Sequence, residues 1–247
     1  MVLTLHNLRP HEGATRLESL FLRWFRKLTR EAITLIDGVH AGLVAHYIPH
    51  GHYKDVYPAT GPVSADSDVV AFVGAVRAYK GVDRLVQVFV NHPSNEFRLI
   101  VAGGVSDPRL GDEVRALGGH DERVELRLTS LTSNELSDII DQCFLIVLPF
   151  REVLNSGTAL LALSLGRPVL MPLGPGSAAL QVEFGARWVR TYEGDLTGDV
   201  LIGQATQARD DIRRGLGELN WESREWDEIA RRHAEVYYLA AGMVRER

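Results

Sequence analysis

Residues of the types that bind phosphate groups stand in two short segments of the chain. In residues 72–83 (FVGAVRAYKGVD), Gly74 ends an apolar run, Arg77 and Lys80 follow it, and a helical pattern begins after Gly81. Two cations beside free backbone N–H groups can hold a diphosphate. Solvated loop charges with no ligand are the alternative interpretation of Arg77 and Lys80.

The second segment combines a polar turn with the start of a helical pattern. In residues 148–169 (LPFREVLNSGTALLALSLGRPV), an apolar run ends in a proline, the turn follows, and a Ser-Gly-Thr tripeptide opens the pattern. The N–H groups and the positive dipole end of such a helix favour a phosphate, and the hydroxyls of Ser156 and Thr158 add donors. N-capping by Asn155 or Ser156, which needs no ligand, is the alternative.

The elements around both segments predict an α/β fold with a parallel sheet. From residue 68 onward, short runs rich in Val, Ile and Leu alternate with segments of helical period. Strands are predicted at residues 69–73, 97–102, 124–128, 144–148, 168–171 and 187–189, and helices at 82–90, 109–117, 134–142, 158–165 and 177–184. Because ligands bind beyond the carboxyl ends of strands in such sheets, both segments lie where function is expected.

The two ends of the chain predict smaller units. The N-terminal part contains a short strand at 2–5, a helical pattern at 15–33 and short strands at 34–36 and 45–48, and residues 57–67 have the composition of a linker. An amphipathic closing helix is predicted at 223–239. The expected domains are listed from the N-terminus: an incomplete domain at 1–60, a ligand-binding domain at 61–222, and a closing helix at 223–247 that crosses back to the N-terminal part.

Composition excludes several classes of protein. Of the 247 residues, 45% are hydrophobic and 24% are charged, which is typical of a globular domain and not of a disordered or coiled-coil chain. The net charge of -5 provides no global positive field for nucleic acid. Cys143 is the single cysteine, so it forms no intramolecular disulfide and no cysteine cluster for zinc, and the cytoplasm is the expected compartment.

The order of these pieces resembles the C-terminal donor-binding half of the family 4 retaining glycosyltransferases of the GT-B fold. The pieces that carry the resemblance are FVGAVRAYKGVDRLVQVF, FRLIVAGG, VELRL with ELSDIIDQCFLIVLPF, and GRPVLMP. LTLHNLRPHE and IPHGHY resemble the end of the acceptor-side domain of that fold. The resemblance implies a Rossmann-like parallel sheet with helices on both faces, a second Rossmann-like domain that is incomplete, and transfer of a sugar from a nucleotide-sugar to an acceptor hydroxyl with retention.

The resemblance also implies roles for individual residues. Lys80 matches the lysine on the donor diphosphate, His6 stands where a histidine lies near the reacting sugar, and the Gly157 turn resembles the loop under the donor sugar. The two glutamates usual in the family fall in register at Val153 and Leu161, so Glu152 is the candidate for the first. The implied donor-binding residues are Gly74, Arg77, Lys80, Asn155, Ser156, Gly157 and Thr158, and the implied catalytic residues are His6 and Glu152.

The expected chemistry needs no bound metal and no cofactor. Departure of the nucleoside diphosphate develops negative charge, which Arg77, Lys80 and the helix start at Ser156 can stabilise. The expected partners are a nucleotide-sugar and a saccharide, lipid-linked or small-molecule acceptor, and homo-oligomerisation stays open. Contact with an anionic membrane through residues 16–30, a basic amphipathic pattern, stands beside the alternative that this helix packs on a sheet.

Three alternative functions remain at this stage. A noncatalytic or truncated GT-B relative that binds nucleotide or a partner fits the missing glutamate register. An NAD-dependent oxidoreductase fits the G-x-G-x-x-A pattern at residues 174–179, although that unit comes fifth in the sheet. Zinc could be held by His46, His50 and His52, but their spacing favours a turn that happens to be rich in histidine.

Overall fold

The computed structural model describes residues 1–5, 20, 21, 24, 25, 27–35, 37, 38, 44–150 and 156–243. Contacts divide the chain into two compact units. The first consists of Met1–His52 with Asn220–Arg247, and the second of Tyr53–Leu219.

The described strands and helices are numbered in chain order. The strands are β1 (Val2–Leu5), β2 (Glu31–Thr34), β3 (Ala45–Tyr47), β4 (Val69–Val73), β5 (Arg98–Ala102), β6 (Val124–Arg127), β7 (Leu145–Val147), β8 (Val169–Pro172) and β9 (Val189–Tyr192). The helices are α1 (Val82–Val90), α2 (Pro108–Gly118), α3 (Ser133–Gln142), α4 (Gly157–Ser164), α5 (Pro175–Phe184), α6 (Gly198–Arg214) and α7 (Trp226–Ala241).

The second unit is built on a six-stranded parallel sheet with the order β6-β5-β4-β7-β8-β9. Every residue of β4 and β7 is buried, which explains why these strands read as unbroken apolar runs. Helices flank the sheet, and α1 buries Val82, Leu85, Val86 and Phe89 at helical spacing. The strand order reverses between β4 and β7, so the crevice for a ligand is expected beyond their carboxyl ends.

Most elements of this unit agree with the sequence prediction. The bounds of β4 and α1 are those predicted, and the other predicted strands and helices are confirmed with small shifts at their ends. The last strand was predicted at residues 187–189 but lies at Val189–Tyr192, where it pairs with all four residues of β8. The sequence analysis missed α6, whose buried residues are only Leu201, Ala205 and Ala208.

The first unit contains a three-stranded parallel sheet with the order β1-β2-β3. Ile33, Ile48, Ile229 and Val236 form its buried cluster, so that α7 packs on the sheet. The predicted helical pattern at 15–33 is wrong at its end, because Glu31–Thr34 pairs with both neighbouring strands.

The outward-facing residues of the first unit include large apolar side chains. On α7, Trp226 and Tyr237 are 46% and 52% exposed. Leu20, Phe21, Trp24 and Leu28 are helical and also exposed. No helix within the described ranges is both long enough and apolar enough to cross a membrane.

Candidate functional site

The site begins where β4 and β5 end. A glycine follows each strand, at a position where the backbone conformation disfavours a side chain. Gly74 has a φ of +119° and Gly103 a φ of +149°, a region that favours glycine. A Cβ on Gly103 would lie 2.0 Å from the carbonyl oxygen of Gly74. The N–H of Gly74 donates to the carbonyl of Ala102 at 2.9 Å, so the two strand ends are held together.

A short 3-10 turn (Ala78–Lys80) then carries Lys80 back towards the end of β4. Gly81 ends the turn with a φ of +63°, and a Cβ there would lie 2.5 Å from the carbonyl oxygen of Pro149. This close approach packs the turn against the chain that follows β7. Because Gly81 has no side chain, the turn can approach Pro149 this closely, and this contact helps to position Lys80.

The ammonium of Lys80 and the hydroxyl of Thr158 converge above Gly74. A Cβ built on Gly74 would lie 3.2 Å from Lys80 Nζ and 3.5 Å from Thr158 Oγ1. Lys80 follows β4, and Thr158 lies in the first turn of the helix that follows β7, so the two groups meet at the reversal of strand order. Three predicted donor-site residues, Gly74, Lys80 and Thr158, thus lie together.

Lys80 is a part-buried cation beside which the described residues place no carboxylate. Its Nζ lies 5.4 Å from the centroid of the Phe150 ring and 5.9 Å from that of Phe72. No described residue accepts a hydrogen bond from it or forms an ion pair with it. Burial, and secondarily the charge of Arg77, lowers the pKa of Lys80. An anion placed beside Nζ would compensate the buried positive charge and stabilise the charged form of Lys80.

The start of α4 supplies backbone donors next to Lys80. Ser156 is buried, and its Oγ accepts the N–H of Ala159 at 3.0 Å, which is the capping interaction that was weighed as the alternative. The N–H groups of Gly157 and Thr158 belong to the first turn, where no earlier carbonyl of the helix can accept them. Ser156 therefore caps the helix, while the first-turn donors remain available to a ligand.

Tyr53 is a residue of this region that the sequence analysis did not single out. A Cβ on Gly157 would lie 3.3 Å from the Tyr53 hydroxyl. The backbone N–H of Tyr53 donates to Ser164 Oγ at 2.9 Å, so its side chain follows α4 from the last turn to the first. More than a hundred residues separate Tyr53 from Gly157, and no local pattern marks the tyrosine.

The remaining predicted residues differ in what the structure describes of them. Arg77 is exposed and has an extended backbone directly before the 3-10 turn. His6, Glu152 and Asn155 lie outside the described residues. Leu161, where the second glutamate of the family would stand, is 7% exposed within α4.

The histidines considered as zinc ligands have separate partners. His46 Nε2 lies 2.7 Å from a Glu31 carboxylate oxygen, and His52 Nε2 lies 3.0 Å from one of Glu225. In the parts of the chain that the structure describes, no group of three His, Cys, Asp or Glu side chains could hold a metal ion.

The dinucleotide-like pattern at residues 174–179 opens α5 after β8. Ser177 is buried and its Oγ accepts the N–H of Gly174 at 2.8 Å, so the serine holds the start of its own helix. This pattern is one strand removed from the reversal of strand order.

Comparison with known proteins identifies the family. Residues 67–183 match the family model described as glycosyl transferases group 1. A relative from Xanthomonas campestris pv. campestris, named GDP-mannose:glycolipid 4-beta-D-mannosyltransferase, is 33% identical over 243 residues, which cover 98% of this chain and 69% of the relative.

Solved structures of similar fold have much lower sequence identity. Sucrose-phosphate synthase from Thermosynechococcus elongatus has a TM-score of 0.73 at 18% identity, over 98% of this chain and 68% of that one. HepE from Anabaena, solved in complex with UDP and glucose, has a TM-score of 0.71 at 16% identity, over 96% of this chain and 71% of that one. The chain therefore belongs to the group 1 glycosyltransferases, enzymes of the GT-B fold that use nucleotide-sugar donors.

Proposed function

We propose that this chain transfers mannose from GDP-mannose to a hydroxyl of a glycolipid, with the donor diphosphate bound between β4 and the start of α4. The observation that carries the proposal is the part-buried ammonium of Lys80, which has no acceptor in the described ranges and meets Thr158 above Gly74. The nature of donor and acceptor rests on the name of the relative, which shares 33% identity with this chain.

The chemistry follows from where negative charge develops. As the bond between the anomeric carbon and the phosphate oxygen breaks, its electron pair leaves with the diphosphate. The acceptor oxygen forms the new bond to the anomeric carbon, and its proton passes to a base or to solvent. Lys80, Arg77, the Thr158 hydroxyl and the first-turn N–H groups of α4 would stabilise that charge, without a metal. The buried hydroxyl of Ser156 supports this arrangement by capping the helix.

The reacting centre is assigned by the family resemblance. His6 is proposed near the reacting sugar and Glu152 as the carboxylate beside the donor sugar, whereas Asn155 is proposed to bind the donor. Substitution of His6 or Glu152 by Ala should then reduce turnover more than GDP affinity. Equal loss of both quantities would assign them to donor binding instead.

The family resemblance and the name of the relative imply different stereochemistry for the product. The family resemblance implies retention, whereas the name of the relative specifies a β-linked product. A donor whose mannose is α-linked to diphosphate yields a β-linked product only by inversion. Because the relative is 33% identical over nearly the whole chain, we propose the β-linked product. NMR of the anomeric centre tests it, and an α-linked product would restore retention.

A glycolipid acceptor gives a role to the exposed apolar residues of the first unit. Leu20, Phe21, Trp24 and Leu28 are 48–64% exposed, and the exposed Lys27 stands among them. We propose that this face contacts an anionic membrane. Flotation with vesicles should depend on anionic lipid and should decrease in a Trp24→Glu variant. Equal flotation of both proteins would contradict the proposal.

The decisive experiment measures binding and transfer on the same preparation. Calorimetry should show GDP binding that Lys80→Ala weakens, and incubation with GDP-mannose and a lipid-linked acceptor should yield mannosylated product. Binding without turnover would favour the noncatalytic alternative, which the apolar Leu161 at the position of the second glutamate supports. Unchanged GDP affinity in Lys80→Ala would refute the proposed donor site.

A further inference from the structure

We propose that the Tyr53 hydroxyl donates a hydrogen bond to the β-phosphate of the bound nucleotide donor, an inference that rests on the donor site proposed above. Tyr53 is the first residue of the second unit and lies far from that site in sequence. Its hydroxyl nevertheless stands 3.3 Å from the position that a Cβ of Gly157 would take. Gly157 is the first residue of α4, where the proposed diphosphate site begins.

Several contacts fix the position of the tyrosine. Its backbone N–H donates to Ser164 Oγ at 2.9 Å, and that hydroxyl donates to the Leu160 carbonyl at 2.7 Å. The Tyr53 ring lies edge-on to Tyr57, with 6.1 Å between the ring centroids. A side chain held at both its backbone and its ring delivers the hydroxyl with little loss of conformational freedom on binding.

The segment after Tyr53 is also attached to the residue that follows α4 and to α3. Thr60 Oγ1 donates to the carbonyl of Leu165 at 2.7 Å, and the Gly61 N–H donates to Asp141 Oδ1 at 2.7 Å. Residues 53–61 are thus bound to the helix whose other end faces the donor site. The hydroxyl should keep its place whether or not ligand is present.

The chemistry of the phenol suits a phosphate oxygen. Burial, and secondarily Tyr57, raises the pKa of Tyr53, so the hydroxyl remains protonated and able to donate at neutral pH. A phenolate would instead repel the ligand. The β-phosphate is the expected partner because negative charge develops on it when the bond to the sugar breaks, next to Lys80 and the first turn of α4.

The test compares Tyr53→Phe with Tyr57→Phe as the matched control, using calorimetry with GDP and with GMP. Loss of one hydrogen bond to a charged group should weaken GDP binding about tenfold in Tyr53→Phe, leave GMP binding within about twofold, and leave both affinities unchanged in Tyr57→Phe. Unchanged GDP affinity, or equal loss for GDP and GMP, would overturn the proposal.

A second variant keeps the inference testable if Tyr53→Phe does not fold. Ser164→Ala removes the acceptor of the Tyr53 N–H, and it should weaken GDP more than GMP by loosening the tyrosine. Equal effects on the two ligands would again overturn the proposal. Lys80→Ala separates this inference from the donor site on which it rests. If Lys80→Ala leaves GDP affinity intact, the proposed donor site is wrong. If Lys80→Ala weakens GDP binding and Tyr53→Phe does not, only the role of Tyr53 is rejected.

Discussion

Replacing Lys80 by Met should stabilise the ligand-free protein while it weakens donor binding. The ammonium is part-buried between the rings of Phe72 and Phe150 and has no acceptor among the residues that the structure describes. Burial of a polar group without a partner costs about 1–3 kcal/mol, and the lower end applies here because Lys80 is only partly buried. A methionine of similar length removes that cost and can pack its sulfur against both rings.

The expected magnitudes follow from these contacts. A gain of about 1 kcal/mol raises the Tm by roughly 2–4 °C in a chain of this size. A hydrogen bond to a charged group contributes about 1.5–3 kcal/mol, so the loss of the ammonium should weaken GDP binding by about 10- to 150-fold. Opposite changes in stability and affinity are typical of a residue retained for binding.

Calorimetry with GDP and thermal unfolding without ligand measure the two quantities. Arg213→Met is the matched control, because Arg213 is an exposed cation near the end of α6 that is paired with Asp210. This variant should leave GDP affinity unchanged and should change the stability by less than about 0.5 kcal/mol. A lower Tm together with unchanged GDP affinity in Lys80→Met would refute the reasoning.

Three further predictions concern charge and burial. The pKa of Lys80 is lowered in the folded protein, so the folded protein loses this proton at a lower pH than the unfolded chain does. The cost of the buried charge is therefore relieved between the lowered pKa and 10.5, the ordinary value. Between these two pH values, the stability relative to Lys80→Met should rise with pH. GDP affinity should fall in the same window, and Lys80→Arg should abolish that fall because arginine keeps its charge. Arg167 is 1% exposed and donates to the carbonyls of Gly61, Ile140 and Cys143. Arg167→Met removes the donor of these three carbonyls and should cost about 3 kcal/mol in urea unfolding, and a cost under about 1 kcal/mol would contradict this. Burial raises the pKa of Cys143 to about 12, so a thiol reagent at pH 8 should modify this single cysteine only after unfolding, and rapid modification of the native protein would show the burial to be wrong.

The second unit could be predicted from sequence because its local signals and its packing agree. Val69–Val73 is an unbroken apolar run bounded by a glycine, and the strand has those bounds. In α1 the spacing of Val82, Leu85, Val86 and Phe89 matches the face that is buried. The resemblance to the GT-B glycosyltransferases, which was built on the order of such pieces, is confirmed.

The elements that the sequence analysis missed carry weak or ambiguous local signals. Only three of the 17 residues of α6 are buried, and two of them are alanines, so its regularly spaced buried face contains little apolar surface. Ala32 and Ile33 fit the helical pattern that precedes them as well as a strand. Their pairing with β1 and β3 decided in favour of the strand.

By itself, the sequence determined that residues of the types that bind phosphate follow two strands of a parallel sheet. Gly74, Lys80 and Thr158 could each be assigned to a strand end, because apolar runs and glycines mark those ends locally. Only the tertiary structure decided that Lys80 and Thr158 meet above Gly74, since this depends on β4 and β7 being neighbours. It also decided that Ser156 caps α4 and that Tyr53 reaches Gly157. Such contacts join residues distant in the chain, and the packing of the sheet and its helices, which no local pattern encodes, brings them together.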